Sequence, residues 1–262
     1  MHDATEKEGL TGRLMTGSLE TEIYADRRSM GRAAAADIAA CIRSMVLTKP
    51  VVHMVFAAAP SQSEMLEALC LEQDVAWDRV IAFHMDEYIG LPVDAPQLFA
   101  HFLDNAVFGR LPFRQVHLIR GGTSDPASEC GRYASLLRTY PTDIVCMGIG
   151  ENTHIAFNDP HVADFSDPYL VKIVELDEVS RRQQVHDGCF PDLSAVPVQA
   201  ITLTVPALLK AERIFCVVPG PTKAEAVFHT LKSEVSVRYP STCLRGHPSA
   251  RMYLDRLSAA ML

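Results

Sequence analysis

A series of short apolar runs, alternating with amphipathic stretches, constrains the fold more than any other feature of the sequence. Several runs, such as 51–59 and 143–150, are largely apolar throughout rather than at every second position. Such runs are typical of parallel strands that are buried on both faces of a sheet. The runs interpreted as strands are 51–59, 80–85, 115–119, 143–150, 170–176, 200–205, 213–220 and 252–255.

Helical stretches lie between many of these strands, and this alternation indicates the topology. The predicted helices are 27–46, 62–73, 125–140 and 222–232. Strands that alternate with helices favour a doubly wound sheet. The sequence therefore predicts an α/β fold with a doubly wound, mostly parallel, Rossmann-like open sheet and helices on both faces. The length suits one large domain, so 1–262 is predicted to be a single domain.

Composition and charge exclude several classes of protein. Hydrophobic residues make up 48% and charged residues 21% of the chain, which is enough for a sizeable core. A net charge of -8 without a basic block argues against a nucleic-acid partner. The sequence shows no signal-peptide pattern and no apolar run that could cross a bilayer, and its seven cysteines are scattered. A cytoplasmic protein that binds neither nucleic acid nor membrane is expected.

Polar clusters follow four of the predicted strands. These clusters are "APSQSE", "DEY", "GENTH" and "PGPTK". In open α/β sheets, ligands bind beyond the carboxyl ends of the strands, so four parallel strands would bring the clusters to one pocket. Strands of mixed direction would scatter them instead.

The acidic pair Asp86 and Glu87 directly follows a predicted buried strand. A carboxylate there is costly unless it is solvated or partnered. Two interpretations follow from this placement. The acids cap the next turn, or one of them is a general base whose pKa is tuned by partial burial.

The segment "GIGENTH" admits three interpretations. A dinucleotide fingerprint is disfavoured because Thr153 occupies its third small position, deep in the chain. A metal site is disfavoured because no HExxH-like spacing is present, and no metal is predicted. Acid–base chemistry remains: Gly148 and Gly150 permit a sharp turn, His154 supplies an imidazole, a group that commonly transfers protons, and Asp159 can hold its tautomer.

Two of these segments, "MDEYIGLP" and "GIGENTHIAFNDP", closely resemble the glucosamine-6-phosphate deaminase/isomerase family, a relative of the 6-phosphogluconolactonases. The later segments "ITLTVPALLKAERIFCVVPGPTKAEAV" and "TCLRGHPSARMYLD" are also similar. The resemblance implies aldose–ketose isomerisation with deamination in amino-sugar metabolism, from glucosamine 6-phosphate to fructose 6-phosphate and ammonia, an activity grouped with the hydrolases. It implies a small-molecule sugar phosphate as partner and no cofactor, and it leaves a homo-oligomer open.

The resemblance also implies roles for particular residues. Asp86 matches the base that takes the proton from C2 of the open-chain sugar. His154 matches the group that opens the pyranose ring, and Asn152 and Asp159 match positions that orient and polarise it. Lys223, in "GPTKAEA", matches the phosphate-binding lysine.

The sequence departs from the family pattern at several positions. The glycine-rich phosphate loop is replaced by "AAAPSQSE", in which Ser61 and Ser63 are the candidate hydroxyl donors. Ungapped alignment puts Gln184 at the phosphate-binding arginine, and Arg181 or Arg182 is the candidate substitute. Of these two, Arg182 is taken as the substrate-binding residue.

Three further departures lie near the histidine. Asn152 and Asp159 stand where many relatives carry aspartate and glutamate, and Thr153 replaces a usual glycine. The side chain of Asp159 is one methylene shorter than that of glutamate, so the sequence does not establish that it contacts His154.

Two other functions remain as alternatives. The first is a 6-phosphogluconolactonase-type hydrolase, although that group carries arginine where this chain has Tyr88 and a different run after the histidine. The second is a non-catalytic relative that only binds a sugar phosphate.

Overall fold

The computed structural model describes residues 7–262. Its strands are β1 (Leu10–Thr16), β2 (Leu19–Tyr24), β3 (Val52–Phe56), β4 (Val80–His84), β5 (Asp86–Tyr88), β6 (Gln115–His117), β7 (Ile144–Met147), β8 (Val171–Glu175), β9 (Gln199–Leu203), β10 (Arg213–Val218) and β11 (Ala250–Asp255). The α-helices are α1 (Arg27–Met45), α2 (Ser63–Leu69), α3 (Phe99–Leu103), α4 (Pro126–Thr139), α5 (Glu178–His186), α6 (Val205–Leu209) and α7 (Ala224–Lys232).

Eight strands form the main sheet, in the order β1-β2-β11-β10-β7-β3-β4-β6. Strands β1 and β2 pair antiparallel, and every other pairing in this sheet is parallel. The predicted α/β class with a mostly parallel open sheet is confirmed.

Helices cover both faces of the sheet. Successive side chains of a strand point to opposite faces, so the apolar residues of the central strands pack against both layers of helices. Met54 and Phe56 of β3 belong to the apolar cluster that includes residues of α1 and α2. Val55, between them, belongs to the cluster that includes residues of α4, α6 and α7. The all-apolar character of β3 follows from burial on both sides.

Two predicted strands, 170–176 and 200–205, lie outside the main sheet. As β8 and β9 they form a separate antiparallel sheet with β5, in the order β5-β9-β8. Strand β8 has a mixed pattern of buried and exposed positions, as expected for a sheet with one solvated face. Both runs are strands, as predicted, but they belong to this second sheet rather than to the parallel one.

The four predicted helices are present within a few residues of their predicted bounds. Helix α1 begins at a capping box in which the Asp26 side chain accepts a hydrogen bond from the Ser29 N–H at 2.8 Å. Helix α4 begins with Asp125 as its N-cap and Pro126 at its first position. Helices α3, α5 and α6 and the β1–β2 hairpin were not predicted.

The order of the strands places a crevice between β3 and β7. From β3 the chain adds β4 and β6 on one side, and after β7 it adds β10 and β11 on the other. Loops on the two sides of this reversal diverge, which opens a binding crevice at the carboxyl ends of the strands. No helix within residues 7–262 is both long and apolar enough to span a membrane.

Candidate active site

A narrow cleft lies at the carboxyl ends of β7, β3 and β4, which are neighbours in the main sheet. The loops after these three strands line it, and helix α5 closes one side. The polar lining residues are Ser61, Gln62, Asp86, His154, Gln183 and Gln184. Three of the four predicted loops therefore converge on the cleft, whereas no residue of the fourth, "PGPTK", is among its lining residues.

Asp86 is held at the cleft by the small sheet. It begins β5, directly after β4, and is paired with Thr202 of β9. Its side chain is nearly buried and has no hydrogen-bond partner within residues 7–262, and the influences on its pKa are burial and the adjacent Glu87 charge. Both influences raise the pKa of Asp86 well above its usual value. The structure thus presents an unpartnered carboxyl group to the cleft.

Glu87 has a structural role. Its carboxylate accepts hydrogen bonds from the N–H groups of Tyr88 and Phe99 at 3.0 Å and of Ala100 at 2.9 Å. These bonds anchor the first turn of α3. Burial raises the pKa of Glu87 to about 7, although the three backbone bonds act to lower it. The two interpretations of the acidic pair apply to different residues. Glu87 caps the first turn of α3, and Asp86 is the acid that lines the cleft.

His154 lies in the cleft, and its ring nitrogen Nδ1 is surrounded by three oxygen atoms. Its Nδ1 is 2.8 Å from Asn152 Oδ1, 2.7 Å from Ser180 Oγ and 3.1 Å from Asp159 Oδ1. The Ser180 hydroxyl donates to Asp159, so the proton between the ring and these oxygens belongs on Nδ1. The ring therefore donates from Nδ1 and keeps the lone pair of Nε2 for a ligand.

Asp159 reaches His154 despite its short side chain. It is fully buried, and its Oδ1 also accepts a hydrogen bond from Asn152 Nδ2 at 2.9 Å. Burial alone would raise the pKa of Asp159, but hydrogen bonds from His154, Ser180 and Asn152 hold it well below its usual range. The carboxylate is ionised and stabilises a positive charge on the imidazole.

The loop that carries His154 is tightly turned. The Gly150 N–H donates to His154 O at 2.9 Å, and the Thr153 N–H donates to Gly150 O at 3.0 Å. Thr153 has φ 70° and Ala156 has φ 45°, in the left-handed region that favours glycine. Thr153 therefore occupies a strained position, which explains why the family pattern has glycine there.

Lys223 lies at the end of a 3-10 turn, Pro221–Lys223, between β10 and α7. It is 4% exposed, and its Nζ has no hydrogen-bond partner in the described part of the chain. Burial lowers the pKa of Lys223 to about 8, while the nearby carboxylates of Asp187 and Glu151 act to raise it. A buried ammonium group without an acceptor indicates a ligand site.

The two candidate serines are placed differently. Ser61 lines the cleft, whereas Ser63 is exposed and lies outside the lining. Between them, Gln62 is fully buried and donates from Nε2 to Val217 O at 3.1 Å. Sequence reasoning missed Gln62 because a lone glutamine in a loop carries no pattern.

Arg182 does not face the cleft. Its side chain is 63% exposed and forms an ion pair with Glu178 on the solvent side of α5. Arg181 donates to the carbonyl groups of Leu193 and Val196 instead. Gln184, two residues beyond Arg182, lines the cleft. The structure therefore does not support Arg182 as a substrate-binding residue.

Ser180 is the other residue that the sequence did not reveal. It is buried on α5 and contacts both His154 and Asp159. A serine in a helix is common, so no sequence signal distinguishes it. In residues 7–262, no group of three or more His, Cys, Asp or Glu side chains is arranged to hold a metal ion.

We expect Gly150→Ala to displace His154 and to destabilise the protein. A methyl group at this position would lie 2.1–2.3 Å from three atoms of the imidazole ring. Overpacking of this kind costs about 1–3 kcal/mol. Thermal unfolding followed by circular dichroism measures the loss. The matched control is Gly131→Ala in α4, where the added methyl meets nothing within 4 Å and alanine favours the helix. Equal stability of the two variants would contradict the close contact.

Comparisons with known proteins agree with this arrangement. The model of the family described as glucosamine-6-phosphate isomerases/6-phosphogluconolactonase matches residues 25–253. A glucosamine-6-phosphate deaminase from an Exiguobacterium species is 36% identical over 181 residues, which is 69% of this chain and 69% of the relative. One from Listeria innocua is 30% identical over 216 residues, which is 82% of this chain and 90% of the relative.

Solved structures show the same fold. A monomeric glucosamine-6-phosphate deaminase superposes with a TM-score of 0.85 at 25% identity, over 92% of this chain and 99% of that one. The 6-phosphogluconolactonase of Thermotoga maritima gives a TM-score of 0.73 at 18% identity, over 90% and 99% of the two chains, a likeness of fold alone. The chain belongs to the glucosamine-6-phosphate isomerase/6-phosphogluconolactonase family.

Proposed function

We propose that this protein is an amino-sugar-phosphate deaminase that converts glucosamine 6-phosphate and water into fructose 6-phosphate and ammonia. One observation carries the proposal: Asp86, whose carboxyl group has no partner in the described part of the chain, shares a cleft with a histidine whose Nδ1 is held by three oxygen atoms. These are the groups that a ring opening followed by two proton transfers needs. The relatives described above, which are 36% and 30% identical to this chain, are named glucosamine-6-phosphate deaminase and support the proposal.

Ring opening is the task of His154. Its free Nε2 takes the proton from the anomeric hydroxyl, and the imidazolium then delivers a proton to the ring oxygen. Asp159 and Asn152 stabilise the imidazolium because both accept at Nδ1. The products are the open-chain aldehyde and a neutral imidazole.

Isomerisation is the task of Asp86. Its carboxylate takes the proton from C2, and the C–H electrons form a C1=C2 double bond while the substrate's ammonium gives a proton to O1. Asp86 then delivers the proton to C1, and the nitrogen lone pair forms the iminium at C2. The raised pKa of free Asp86 suits this role, since the bound ammonium group favours the ionised carboxylate.

Water enters only at the last step, when it adds to the iminium carbon and ammonia leaves. The predicted grouping with the hydrolases is not supported by the relatives, whose names describe a deaminase and an isomerase. The chemistry proposed for this chain's own residues is isomerisation.

Lys223 is the anchor that we assign to the phosphate. Its buried ammonium has no acceptor among the residues the structure describes, and it lies on the loop after β10, beside the cleft strands. Ser61 adds a hydroxyl group from the loop after β3. We place the reaction in the cytoplasm, where the seven free cysteines would stay reduced.

The lactonase alternative receives no support from position 88. Tyr88 is fully buried and packs against the rings of Phe99, Phe157 and Phe190. It supplies no charge to the cleft. The 6-phosphogluconolactonase structures share the fold at 13–18% identity, which does not favour their activity over the deaminase.

Asp86→Asn should abolish ammonia release while making the protein more stable at neutral pH. General acid–base groups contribute about 10²–10⁴-fold to the rate, so kcat should fall by that range. The folded state raises the pKa of Asp86, so its stability contribution is present at acidic pH and is lost as pH rises towards the folded pKa. Asparagine removes this loss, and Tm at about pH 7.5 should increase, with a smaller gain near about pH 4.

Ammonia release and thermal unfolding of parent and variant measure both effects. Glu178→Gln, which removes an exposed acid, is the matched control and should change neither quantity. Retention of kcat within a few-fold of the parent would remove Asp86 from the mechanism.

Lys223→Ala should raise KM for glucosamine 6-phosphate by roughly tenfold to a hundredfold, because a hydrogen bond to a charged group contributes about 1.5–3 kcal/mol. The loss for unphosphorylated glucosamine should be smaller, since that sugar lacks the charge. Arg182→Ala removes the same charge on the solvent side of α5 and should leave KM unchanged. Steady-state kinetics with both sugars measure the two KM values. An equal increase in KM for both sugars would indicate that Lys223 has a structural role.

A further inference from the structure

Thr153 is held in the left-handed region by backbone hydrogen bonds and not by its own side chain. Its φ is 70°, and the residue is 1% exposed. The Thr153 hydroxyl is buried and has no hydrogen-bond partner within residues 7–262, so it does not stabilise this conformation. A residue with a Cβ adopts positive φ only when its surroundings impose it. The contacts that impose it therefore decide where the next residue, His154, lies.

The peptide group between Thr153 and His154 is fixed at both ends. Its N–H belongs to His154 and donates to Asn152 Oδ1 at 3.2 Å. Its carbonyl belongs to Thr153 and accepts from the Ser241 N–H at 2.9 Å. Asn152 belongs to the same turn, whereas Ser241 comes from the 3-10 turn Pro240–Gly246, which follows α7. Because a peptide group is planar, these two bonds fix the orientation from which the His154 side chain leaves the backbone.

The hydroxyl group of Ser241 anchors that turn to α7. Ser241 and Thr230, a residue of α7, are both fully buried. The Thr230 hydroxyl donates to Ala226 O at 2.7 Å. Each hydroxyl has one proton, so Ser241 is the donor in the 2.5 Å bond that joins the two hydroxyl groups. Ser241 therefore connects α7, through its side chain, to the loop that carries His154, through its backbone N–H.

We propose that Ser241 is a positioning residue for His154 and that Thr230 holds Ser241 in place. This assignment rests on the proposed function only for the task of His154, which is ring opening. Neither Ser241 nor Thr230 lines the cleft, so both act through the backbone of Thr153. When the bond between the hydroxyl groups is lost, the turn can move away from the loop, and Thr153 relaxes towards negative φ. The imidazole then leaves the oxygen atoms that surround its Nδ1.

Ser241→Ala and Thr230→Val break the same bond from opposite sides. Ser241→Ala leaves the bond from Thr230 to Ala226 O intact, and Thr230→Val keeps the shape of the side chain, so α7 is preserved in both variants. We expect each variant to lower kcat for ammonia release by roughly tenfold to a hundredfold, because a misplacement of about 1 Å can cost about 10²-fold. KM should change little, since the substrate-binding groups stay in place.

Thr139→Val is the matched control for these variants. The Thr139 hydroxyl also donates to the carbonyl group four residues earlier, Ser135 O at 3.0 Å, but it lies on the exposed end of α4. This variant should leave kcat unchanged. A lower Tm with unchanged kcat in both Ser241→Ala and Thr230→Val would show a purely structural role and would overturn the proposal.

Thr153→Gly tests whether Ser241 acts through Thr153. Glycine adopts positive φ without steric cost, so the loop no longer depends on the bond from Ser241. In the Thr153→Gly background, Ser241→Ala should lower kcat by no more than about twofold, because the two changes are coupled. The same fold-loss in both backgrounds would mean that the two residues act independently, which would overturn the proposal.

Nitrogen-15 NMR of the imidazole rings reports the position of His154 without using catalysis. In the parent the His154 proton is on Nδ1, and the signals are assigned by their loss in His154→Gln. Ser241→Ala should populate the tautomer with the proton on Nε2, whereas Thr139→Val should not. Unchanged His154 signals in Ser241→Ala would overturn the proposal, whatever the activity. If the parent releases no ammonia from glucosamine 6-phosphate, the proposed function fails, and the NMR result alone decides the role of Ser241.

Discussion

The buried carboxylate of Asp159 is the group on which the loop that carries His154 depends. Its Oδ1 accepts from Asn152, Ser180 and His154, and its Oδ2 accepts from the Asp177 N–H at 3.0 Å. An ionised carboxylate in the interior is tolerated only when such donors surround it. These bonds tie the loop after β7 to the start of α5, and the position of the histidine follows from them.

The same site contains several features that do not favour the folded state. Thr153 and Ala156 have positive φ. Among the residues that the structure describes, the buried Asp86 side chain has no hydrogen-bond donor and the buried Lys223 ammonium has no acceptor. Each costs stability, and strain of this kind concentrates where a protein binds and reacts. The apolar side chains of Ile155 and Phe157, both buried, hold the loop in place against this strain.

The central parallel strands could be predicted because burial on both faces leaves continuous apolar runs. The long helices could be predicted because amphipathic stretches separate these runs. The small sheet could not, since β8 is partly solvated and its pairing with β9 and β5 is a property of the tertiary fold. The motifs singled out Asp86 and His154, and the structure places both side chains in the cleft. Arg182 was misplaced because residues two apart on a helix point about 200° apart, so Gln184 faces the cleft and Arg182 faces solvent.

The division of labour between Asp86 and His154 is the central claim, and the isotope effect of deuterium at C2 on kcat/KM tests it most directly. In Asp86→Glu the base is misplaced, so removal of the C2 proton limits the rate and the isotope effect should exceed that of the parent. In His154→Gln ring opening limits the rate, and the isotope effect should nearly vanish. An equal isotope effect in both variants would contradict the assignment of separate steps to the two residues.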